Sequence, residues 1–477
     1  MPFSSVSFLL YLLPVTLFIY YICFPANHLR NFVLLFASLV FYAFGQTYYF
    51  LILLGSIAFN WAIGQLIRYG KGVKKTRRGV FFFGIAINLL ILVFFKQIAF
   101  VFSLVSPLVS GFVPETSPML PLGLSFFTLQ AVSYLIDIFR GKIAPDKNIV
   151  RVGLYLAFFP KIIAGPVVGY QEFSQEMLHR QHSMKKLSAG VCRFVVGLAK
   201  KVLIANVLMP VANNIFSWSA MGRFEFNVPA TLALLGVVCY ALQLYFELSG
   251  YADMAIGLAG MFGFNLPENF NHPFTAASMT EFWRRWQMTL LGWFREYLYP
   301  VFSKNQPANN DIVVRNLLFT WAFFGLWHGA DWTWLFWVAW NYLLLLAEFF
   351  FDYPRRLGRS AVMRAYTLVA VAVGMVLMRA DGIYAAGRYF MNLFGMNMNG
   401  FFSDVAWVLL RENWIVLLIA IIFSTPVARK AKEWALAKTS GASGGLLTVL
   451  YPSGVVLLFA ATVVVMTQQY FLPFIYY

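Results

Sequence analysis

The sequence predicts an all-α, polytopic integral membrane protein, and three observations support this fold class. Of the 477 residues, 60% are hydrophobic and 12% are charged, against roughly 45–50% and 25% in an ordinary soluble domain. Apolar runs of roughly 20 residues, long enough to cross a bilayer, recur along the whole chain. The basic residues collect in short loops between these runs. This pattern excludes a typical cytosolic enzyme.

The net charge of +17 does not indicate nucleic-acid binding. A nucleic-acid-binding protein gathers its basic residues on one polar face, whereas here they separate apolar segments, and we expect no nucleic-acid partner. The apolar runs predict about 11 membrane-embedded segments. We expect a single transmembrane domain over residues 1–477, with its most motif-rich part at 154–351.

Apolar runs predict the individual spans in order. Those of the first part of the chain are Ser5–Phe24, Asn31–Phe44, Phe50–Ile67, Val80–Phe102 and Leu120–Phe139. The first run lacks a basic n-region and a small-residue cleavage site, so we expect it to remain in the mature chain. Two later runs, Ala365–Met378 and Val405–Phe423, predict further spans.

The basic loops orient the chain, because short loops rich in Lys and Arg stay in the cytoplasm. The loops that we predict to be cytoplasmic are Arg68–Arg78, Arg140–Arg151, His179–Lys186, Arg355–Arg364 and Arg429–Lys438. Counting spans from them places the N-terminus outside the cytoplasm. Leu154–Gly169 lies between two of these loops and must enter and leave on one side. Pro160 and Gly165–Pro166 would break a straight helix there, which predicts a re-entrant element.

Two carboxylates interrupt an otherwise apolar span, in the stretch YFELSGYADMAIGL. They are Glu247 and Asp253. Charge at membrane depth is costly and is a functional hypothesis by default. These side chains either pair with nearby arginines and hold helices together or contact a ligand, and the sequence leaves both interpretations open.

The stretch Ser278–Pro300 predicts one amphipathic helix. Ser278 followed by Glu281 matches the capping box that begins a helix, and Pro300 would end it. An aromatic and aliphatic stripe lies on one face, formed by Phe282, Trp286, Leu290, Trp293 and Tyr297. Arg284, Gln287 and Arg295 lie on another face. Such a helix is either an interfacial anchor or the lining of a polar cavity.

His328 lies within the apolar segment Asn316–Phe351, unlike the other histidines, which have loop-like surroundings. An imidazole takes and returns a proton near neutral pH, which suits a general base; the alternative is a structural histidine.

Thiols offer no disulfide framework or metal cluster, because Cys23, Cys192 and Cys239 lie in apolar stretches as small core residues. His328 has no familiar metal-ligand spacing beyond Asp331, so we expect no metal site. Acyl transfer by a single histidine base is the simplest chemistry available.

Five ordered motifs resemble the membrane-bound O-acyltransferase family, and the likeness extends over essentially the full chain. They are LAFFPKIIAGPVVGYQEF (Leu156–Phe173), YFELSGYADMAIGL (Tyr245–Leu258), PENFNHPF (Pro267–Phe274), EFWRRWQMTLLGWFREYLY (Glu281–Tyr299) and GLWHGADWTWLFWVAWN (Gly325–Asn341). The nearest branch is that of the bacterial polysaccharide O-acetyltransferases, typified by the membrane subunit of alginate acetylation.

This resemblance implies a horseshoe-like helical fold around a central tunnel, with His328 as the catalytic residue. It implies acetyl-CoA as the acetyl-donor substrate, with no cofactor bound. An extracytoplasmic partner of the Ser-His-Asp, SGNH-type esterase fold would complete transfer to the hydroxyls of a polysaccharide. Because outer-membrane proteins are barrels of alternating strands rather than helices, we expect an inner-membrane location where a cell has two membranes.

The residue types in these motifs also predict supporting residues. The predicted tunnel residues are Gln287, Asn341, Arg284, Arg285, Trp286, Trp327 and Asp331. The arginine pair could hold the coenzyme A phosphates or pair with a carboxylate such as Glu281 or Glu296. The charges predicted to be structural or tunnel-lining are Glu247, Asp253, Glu281 and Arg295.

Three departures from the family pattern stand out. Close relatives usually carry histidine where this chain has Gln287 and Asn341, and aspartate where it has Glu247. An amide is no base near neutral pH, so the proton chemistry falls on His328.

Acceptors such as peptidoglycan, cellulose or teichoic acid are the alternatives within the family, and a transporter or channel is the alternative from another class.

Overall fold

The computed structural model describes residues 3–69, 74–105, 120–221, 228–299, 309–329, 331–397, 400–438 and 444–468. These described residues form helices and connecting turns without a strand, which confirms the all-α class. Nine helical stretches among them are long and apolar enough to cross a membrane, and the shorter apolar helix Phe8–Ile22 precedes these. The protein is therefore a multi-pass membrane protein.

The helices of the first half are α1 (Leu13–Ile22), α2 (Asn27–Gly45), α3 (Phe50–Tyr69), α4 (Lys74–Val105), α5 (Leu124–Arg140), α6 (Ile149–Ala157), α7 (Phe159–Ile162), α8 (Tyr170–His179), α9 (Met184–Ala199), α10 (Asn206–Met221) and α11 (Ala230–Met261). Those of the second half are α12 (Met279–Trp283), α13 (Met288–Tyr297), α14 (Asn310–His328), α15 (Trp332–Phe351), α16 (Tyr353–Leu357), α17 (Ala361–Arg379), α18 (Ile383–Leu393), α19 (Asp404–Ser424), α20 (Val427–Lys438) and α21 (Gly444–Gln468). The predicted spans lie largely on single helices, except that Ser5–Phe24 shares only its second half with α1.

The chain packs as two compact units. The first contains the described residues of Met1–Phe194 and Ala252–Pro267, and the second contains those of Val195–Tyr251 and Glu268–Gln469. The single domain over residues 1–477 stays a prediction.

In the first unit, hydrogen bonds bring two of the predicted cytoplasmic loops to the same end of the helices. The Arg77 guanidinium donates to the carbonyl of Phe139, and the Gln65 amide donates to the carbonyl of Asp146 at 2.7 Å. The opposite ends of α2 and α5 meet where the Gln46 amide donates to the Leu120 carbonyl at 3.1 Å. The two loops therefore lie at the same end of the helices, as predicted. The side of the membrane on which that end lies stays a prediction.

The segment Leu154–Gly169 is not a straight helix, as its Pro and Gly residues predict. Helix α6 ends at Ala157, the short α7 follows, and an irregular stretch leads to α8. A Cβ on Gly123, at the beginning of α5, would lie only 2.3 Å from the Ile162 carbonyl oxygen. The Tyr170 hydroxyl donates to the Asp146 carboxylate, beyond the other end of α5, at 2.7 Å. The segment thus reaches along α5 and returns, whereas its re-entrant place in the membrane stays a prediction.

The prediction of one helix over Ser278–Pro300 is wrong within the described part, which ends at residue 299. Helix α12 ends at Trp283, and α13 begins after Gln287, whose φ of 43° is left-handed. The reason is Asn269, whose backbone carbonyl accepts from the Met288 N–H at 2.9 Å and whose side chain accepts from the Thr289 N–H at 3.1 Å. These bonds use N–H groups that a continuous helix would need.

The predicted beginning of this segment is nevertheless correct, and its apolar stripe is buried. The Ser278 hydroxyl accepts from the Glu281 N–H at 2.9 Å, as an N-cap does. The Glu281 carboxylate accepts from the Ala277 N–H at 2.8 Å, one residue before the position that a capping box requires. All members of the predicted stripe are buried: Phe282, Trp286, Leu290, Trp293 and Tyr297.

Candidate active site

His328 is the last residue of α14, at the bend that leads into α15. Gly329 follows it in extended conformation, and the Asp331 carboxylate then accepts the Trp332 N–H at 2.6 Å to begin α15. The two helices approach closely because Gly325 has no side chain; a Cβ there would lie 2.1 Å from Val338 Cγ2. The helix pair therefore holds the His328 ring at a fixed place.

Four aromatic rings surround the half-buried His328 imidazole. Trp334 stacks on it with ring centroids 5.0 Å apart and an angle of 5° between the planes. Phe324 and Trp327 contact it edge-on at 4.7 and 4.8 Å, and Trp337 contacts it at 5.7 Å. Stacked and edge-on contacts together define both the position and the plane of a ring. We call His328 and these four residues the histidine cage.

Asn341 joins the histidine cage through tryptophan. Its side-chain oxygen accepts from the Trp283 indole N–H at 3.0 Å, and its amide nitrogen donates to the Trp337 carbonyl at 2.9 Å. The Trp337 ring in turn contacts both His328 and Trp283. The structure thus brings together three residues that the sequence singled out, namely His328, Trp327 and Asn341.

Gln287 is buried at the left-handed turn between α12 and α13. Its side-chain oxygen has no hydrogen-bond donor among the residues that the structure describes. A buried acceptor of this kind has a cost unless a partner satisfies it. Gln287 is therefore able to receive a hydrogen bond from a bound group, and its role in a tunnel stays a prediction.

Arg284 and Arg285 are adjacent in sequence but differ in their surroundings. Arg285 forms an ion pair with Glu281 at 2.6 Å and donates to the Thr275 hydroxyl at 3.0 Å, so its guanidinium is engaged within the protein. Arg359 contacts the same Glu281 carboxylate at 2.8 Å. Burial favours a raised pKa for the Glu281 carboxyl, but the Ala277 N–H and the two arginines together hold this pKa below its usual value. Arg284 is exposed.

The other predicted site residues, Trp286, Asp331 and Arg295, have different surroundings. Trp286 is buried against aromatic rings, with centroid distances of 5.3 Å to Phe270 and 5.5 Å to Phe282. Asp331 is the N-cap of α15 and also accepts from the Thr333 hydroxyl at 3.2 Å. Arg295 is exposed. A role for any of them towards a substrate stays a prediction.

Glu247 and Asp253 both form ion pairs, which agrees with the structural interpretation of these charges. Both Glu247 oxygens accept from the Lys201 ammonium, at 2.5 and 2.6 Å, and the partner is thus a lysine rather than an arginine. One Asp253 oxygen accepts from Nε and Nη2 of Arg193, at 3.1 and 2.9 Å. The Lys201–Glu247 pair is buried, with side-chain exposures of 6% and 2%.

Sequence reasoning missed two residues that build the site. Glu348, on α15, accepts the N–H groups of Met279 at 2.5 Å and Thr280 at 2.8 Å and so caps α12. Its carboxylate within an apolar segment was a signal available in the sequence. Asn269 caps α13, and its position in the motif PENF was the corresponding signal.

The described residues contain no group of three or more His, Cys, Asp or Glu side chains that could hold a metal ion. Of the cysteines, Cys239 is buried, whereas Cys23 and Cys192 are only partly so. The core assignment therefore holds fully for Cys239 alone.

Comparisons with known proteins place this geometry in a family. A sequence model described as MBOAT, membrane-bound O-acyltransferase family, matches residues 144–376. The probable alginate O-acetylase AlgI of Azotobacter vinelandii is 34% identical, with 100% of both chains covered. AlgI of Pseudomonas aeruginosa is 36% identical over 83% of this chain and 75% of the relative. The peptidoglycan O-acetyltransferase of Helicobacter pylori is 29% identical over 82% of this chain and 80% of the relative. The chain belongs to the membrane-bound O-acyltransferase family and is an acyltransferase.

Proposed function

We propose that the protein passes acetyl groups from cytoplasmic acetyl-CoA across the membrane for O-acetylation of an extracytoplasmic polysaccharide such as alginate. The observation that carries this proposal is the histidine cage, which presents one imidazole at a helix bend among aromatic rings. The names of the relatives, alginate O-acetylase above all, support the acetyl group and the acceptor class.

His328 acts as general base in this proposal. It removes the proton of the acceptor hydroxyl, or of a carrier group on the partner, as that atom attacks the thioester carbonyl. The new bond to the acetyl carbon forms, the carbon–sulfur bond breaks, and the departing thiolate takes the proton back from the imidazolium. The aromatic rings keep water away from the reacting atoms and hold the imidazole in one orientation.

The other predicted residues have supporting roles. The Gln287 side-chain oxygen, which has no donor in the described part of the chain, and the amide of Asn341 orient groups in the tunnel. The exposed Arg284 binds coenzyme A phosphates, for which a guanidinium has the matching fork of donors. Arg285 supports this site indirectly, because Glu281 engages its guanidinium.

An extracytoplasmic SGNH-type protein completes transfer to the polysaccharide, and the lipid bilayer separates donor from acceptor. The predicted location is the inner membrane, with the N-terminus outside the cytoplasm and the basic loops inside it. In this arrangement the acyltransferase supplies the acetyl group and its partner selects the polymer.

The test is acetyl-CoA turnover by the purified full chain, with radiolabelled acetyl groups and a soluble nucleophile or the partner as acceptor. His328→Ala and His328→Gln should each lose at least about 100-fold, since a general base contributes that much or more. His179→Ala, at an exposed histidine, is the matched control and should retain wild-type turnover. Full turnover in the His328 variants would remove this residue from the mechanism.

Two further measurements separate the alternatives. Product analysis of the cell-surface polymers distinguishes alginate from peptidoglycan, which the name of the Helicobacter pylori relative makes the second acceptor to examine. Solute flux across liposomes without a thioester would instead support a transporter.

A further inference from the structure

Two buried arginines lie together in the first unit, outside the site described above. Arg30 is in the first turn of α2, and Arg180 immediately follows α8. Their exposed fractions are 1% and 6%. Hydrogen bonds join the two helix ends here, from the Asn27 amide to the Leu178 carbonyl at 3.0 Å and from the Asn31 amide to the Met177 carbonyl at 3.4 Å. The site is thus part of the packed structure.

Among the described residues, the side-chain hydrogen bonds of each guanidinium are donated by Nη1. Nη1 of Arg180 donates to the Asn31 side-chain oxygen at 2.5 Å, and Nη1 of Arg30 donates to Nδ1 of His182 at 3.5 Å. The guanidinium carbons lie 5.1 Å (Arg30) and 5.4 Å (Arg180) from the centroid of the same Tyr20 ring. Nε and Nη2 of both arginines have no hydrogen-bond partner among the described residues.

The unused donors form the same edge in both arginines. Nε and Nη2 point in parallel and match two oxygens of a phosphate or carboxylate, which is the reason that arginine dominates bidentate phosphate recognition. Buried N–H groups are almost always satisfied in proteins, and a buried unpaired charge is strongly destabilising. The free donor edges of the two arginines are therefore suited to bind an anion.

The described side chains around the two arginines do not supply such an anion. Among the described residues, no carboxylate forms an ion pair with either arginine, and the nearby Glu176 instead accepts from the Asn265 amide at 2.9 Å. The Lys186 ammonium, which adds positive charge, donates to the Gly263 carbonyl at 2.6 Å. Burial, together with Arg30, Arg180 and Lys186, lowers the pKa of His182 to about 4, so its imidazole is neutral. The local charge is positive.

We propose that Arg30 and Arg180 form a buried binding site for a phosphate group, carried either by a lipid headgroup or by a soluble phosphate ester. The loop His179–Lys186 is one of those predicted to be cytoplasmic, and both a lipid headgroup and a soluble phosphate are present on that side of a membrane. Bound phosphate would neutralise both guanidinium groups and hold the beginning of α2 against the end of α8.

The experiment uses the full chain, delipidated in a phosphate-free maltoside detergent, with thermal unfolding followed by tryptophan fluorescence. One arm compares inorganic phosphate with chloride at equal ionic strength, and the other compares phosphatidylglycerol with diacylglycerol. We expect one arm to raise the unfolding temperature of the wild type by about 2 °C or more, as saturation by a ligand of the folded state does. Native mass spectrometry of the protein before delipidation should show a retained phosphate-containing molecule if the lipid arm is the effective one.

Arg30→Lys and Arg180→Lys are the informative variants, because they keep the charge but remove the fork of donors. The concentration of phosphate or phosphatidylglycerol that gives half the shift should rise at least tenfold in each. Lys185→Arg, an exposed basic residue in the same loop, is the matched control and should respond like the wild type. Absence of any shift in the wild type, or equal responses in the wild type and both arginine variants, would overturn the proposal.

Discussion

Removing either member of the Lys201–Glu247 pair should destabilise the protein far more than removing either member of the Arg193–Asp253 pair. The contact distances are similar, but the burial is not. The side chains of the first pair are 6% and 2% exposed, whereas those of the second are 30% and 17% exposed. A charge left without its partner in the first pair has almost no access to solvent.

The expected magnitudes follow from this difference. Lys201→Met or Glu247→Gln should each lower the free energy of unfolding by about 3–5 kcal/mol, the usual cost of leaving a buried charge unpaired. Arg193→Met or Asp253→Asn should cost about 1 kcal/mol or less, as for partly exposed pairs. The double variant Lys201→Met/Glu247→Gln leaves no charge behind, so it should cost less than either of its single variants.

The assay is equilibrium unfolding in mixed micelles with a rising fraction of sodium dodecyl sulfate, followed by tryptophan fluorescence. The double-mutant cycle of each pair provides its coupling energy, and the Arg193–Asp253 cycle is the matched control. Additive losses in the Lys201–Glu247 cycle, or equal losses for the two pairs, would refute the argument that burial decides the cost.

Two further predictions concern packing and pH. Gly257→Ala should lower the free energy of unfolding by about 1–3 kcal/mol in the same assay, because its Cβ would lie 2.6 Å from the Gly190 carbonyl oxygen. Gly55→Ala is the control and should be tolerated, since a Cβ there has nothing within 4 Å. Equal effects of the two substitutions would contradict the close approach at Gly257. Because the pKa of His182 is lowered from 6.5 to about 4, the unfolded chain binds a proton in this interval and the folded chain does not. The free energy of unfolding should therefore fall as the pH falls from about 6.5 to about 4. His182→Gln should reduce this pH dependence, whereas His179→Gln, at an exposed position, should leave it as in the wild type. An unchanged pH profile in His182→Gln would count against the prediction.

The sequence was sufficient for the fold class and for the position of most membrane segments. Hydrophobic runs and basic loops are local features, and the bilayer requires helices of nearly fixed length. The broken segment Leu154–Gly169 was predictable for the same reason, because Pro160 and Gly165 act on their own stretch of backbone. The N-cap at Ser278 is equally local.

The tertiary structure alone decided which distant groups meet. Lys201 rather than an arginine pairs with Glu247, and Asn269 divides the predicted amphipathic helix by taking the N–H groups of Met288 and Thr289. The periodicity of that segment is the same whether or not the helix continues, so sequence alone favoured continuity.

The aromatic motif around His328 was visible in the sequence, but the stacking of Trp334 and the link to Asn341 depend on how α14 and α15 fold together. The unused donor edges of Arg30 and Arg180 are still further from any sequence pattern, since about 150 residues separate them along the chain. Local composition determines which segments enter the membrane, whereas hydrogen bonding and charge pairing inside it depend on contacts between residues far apart in sequence.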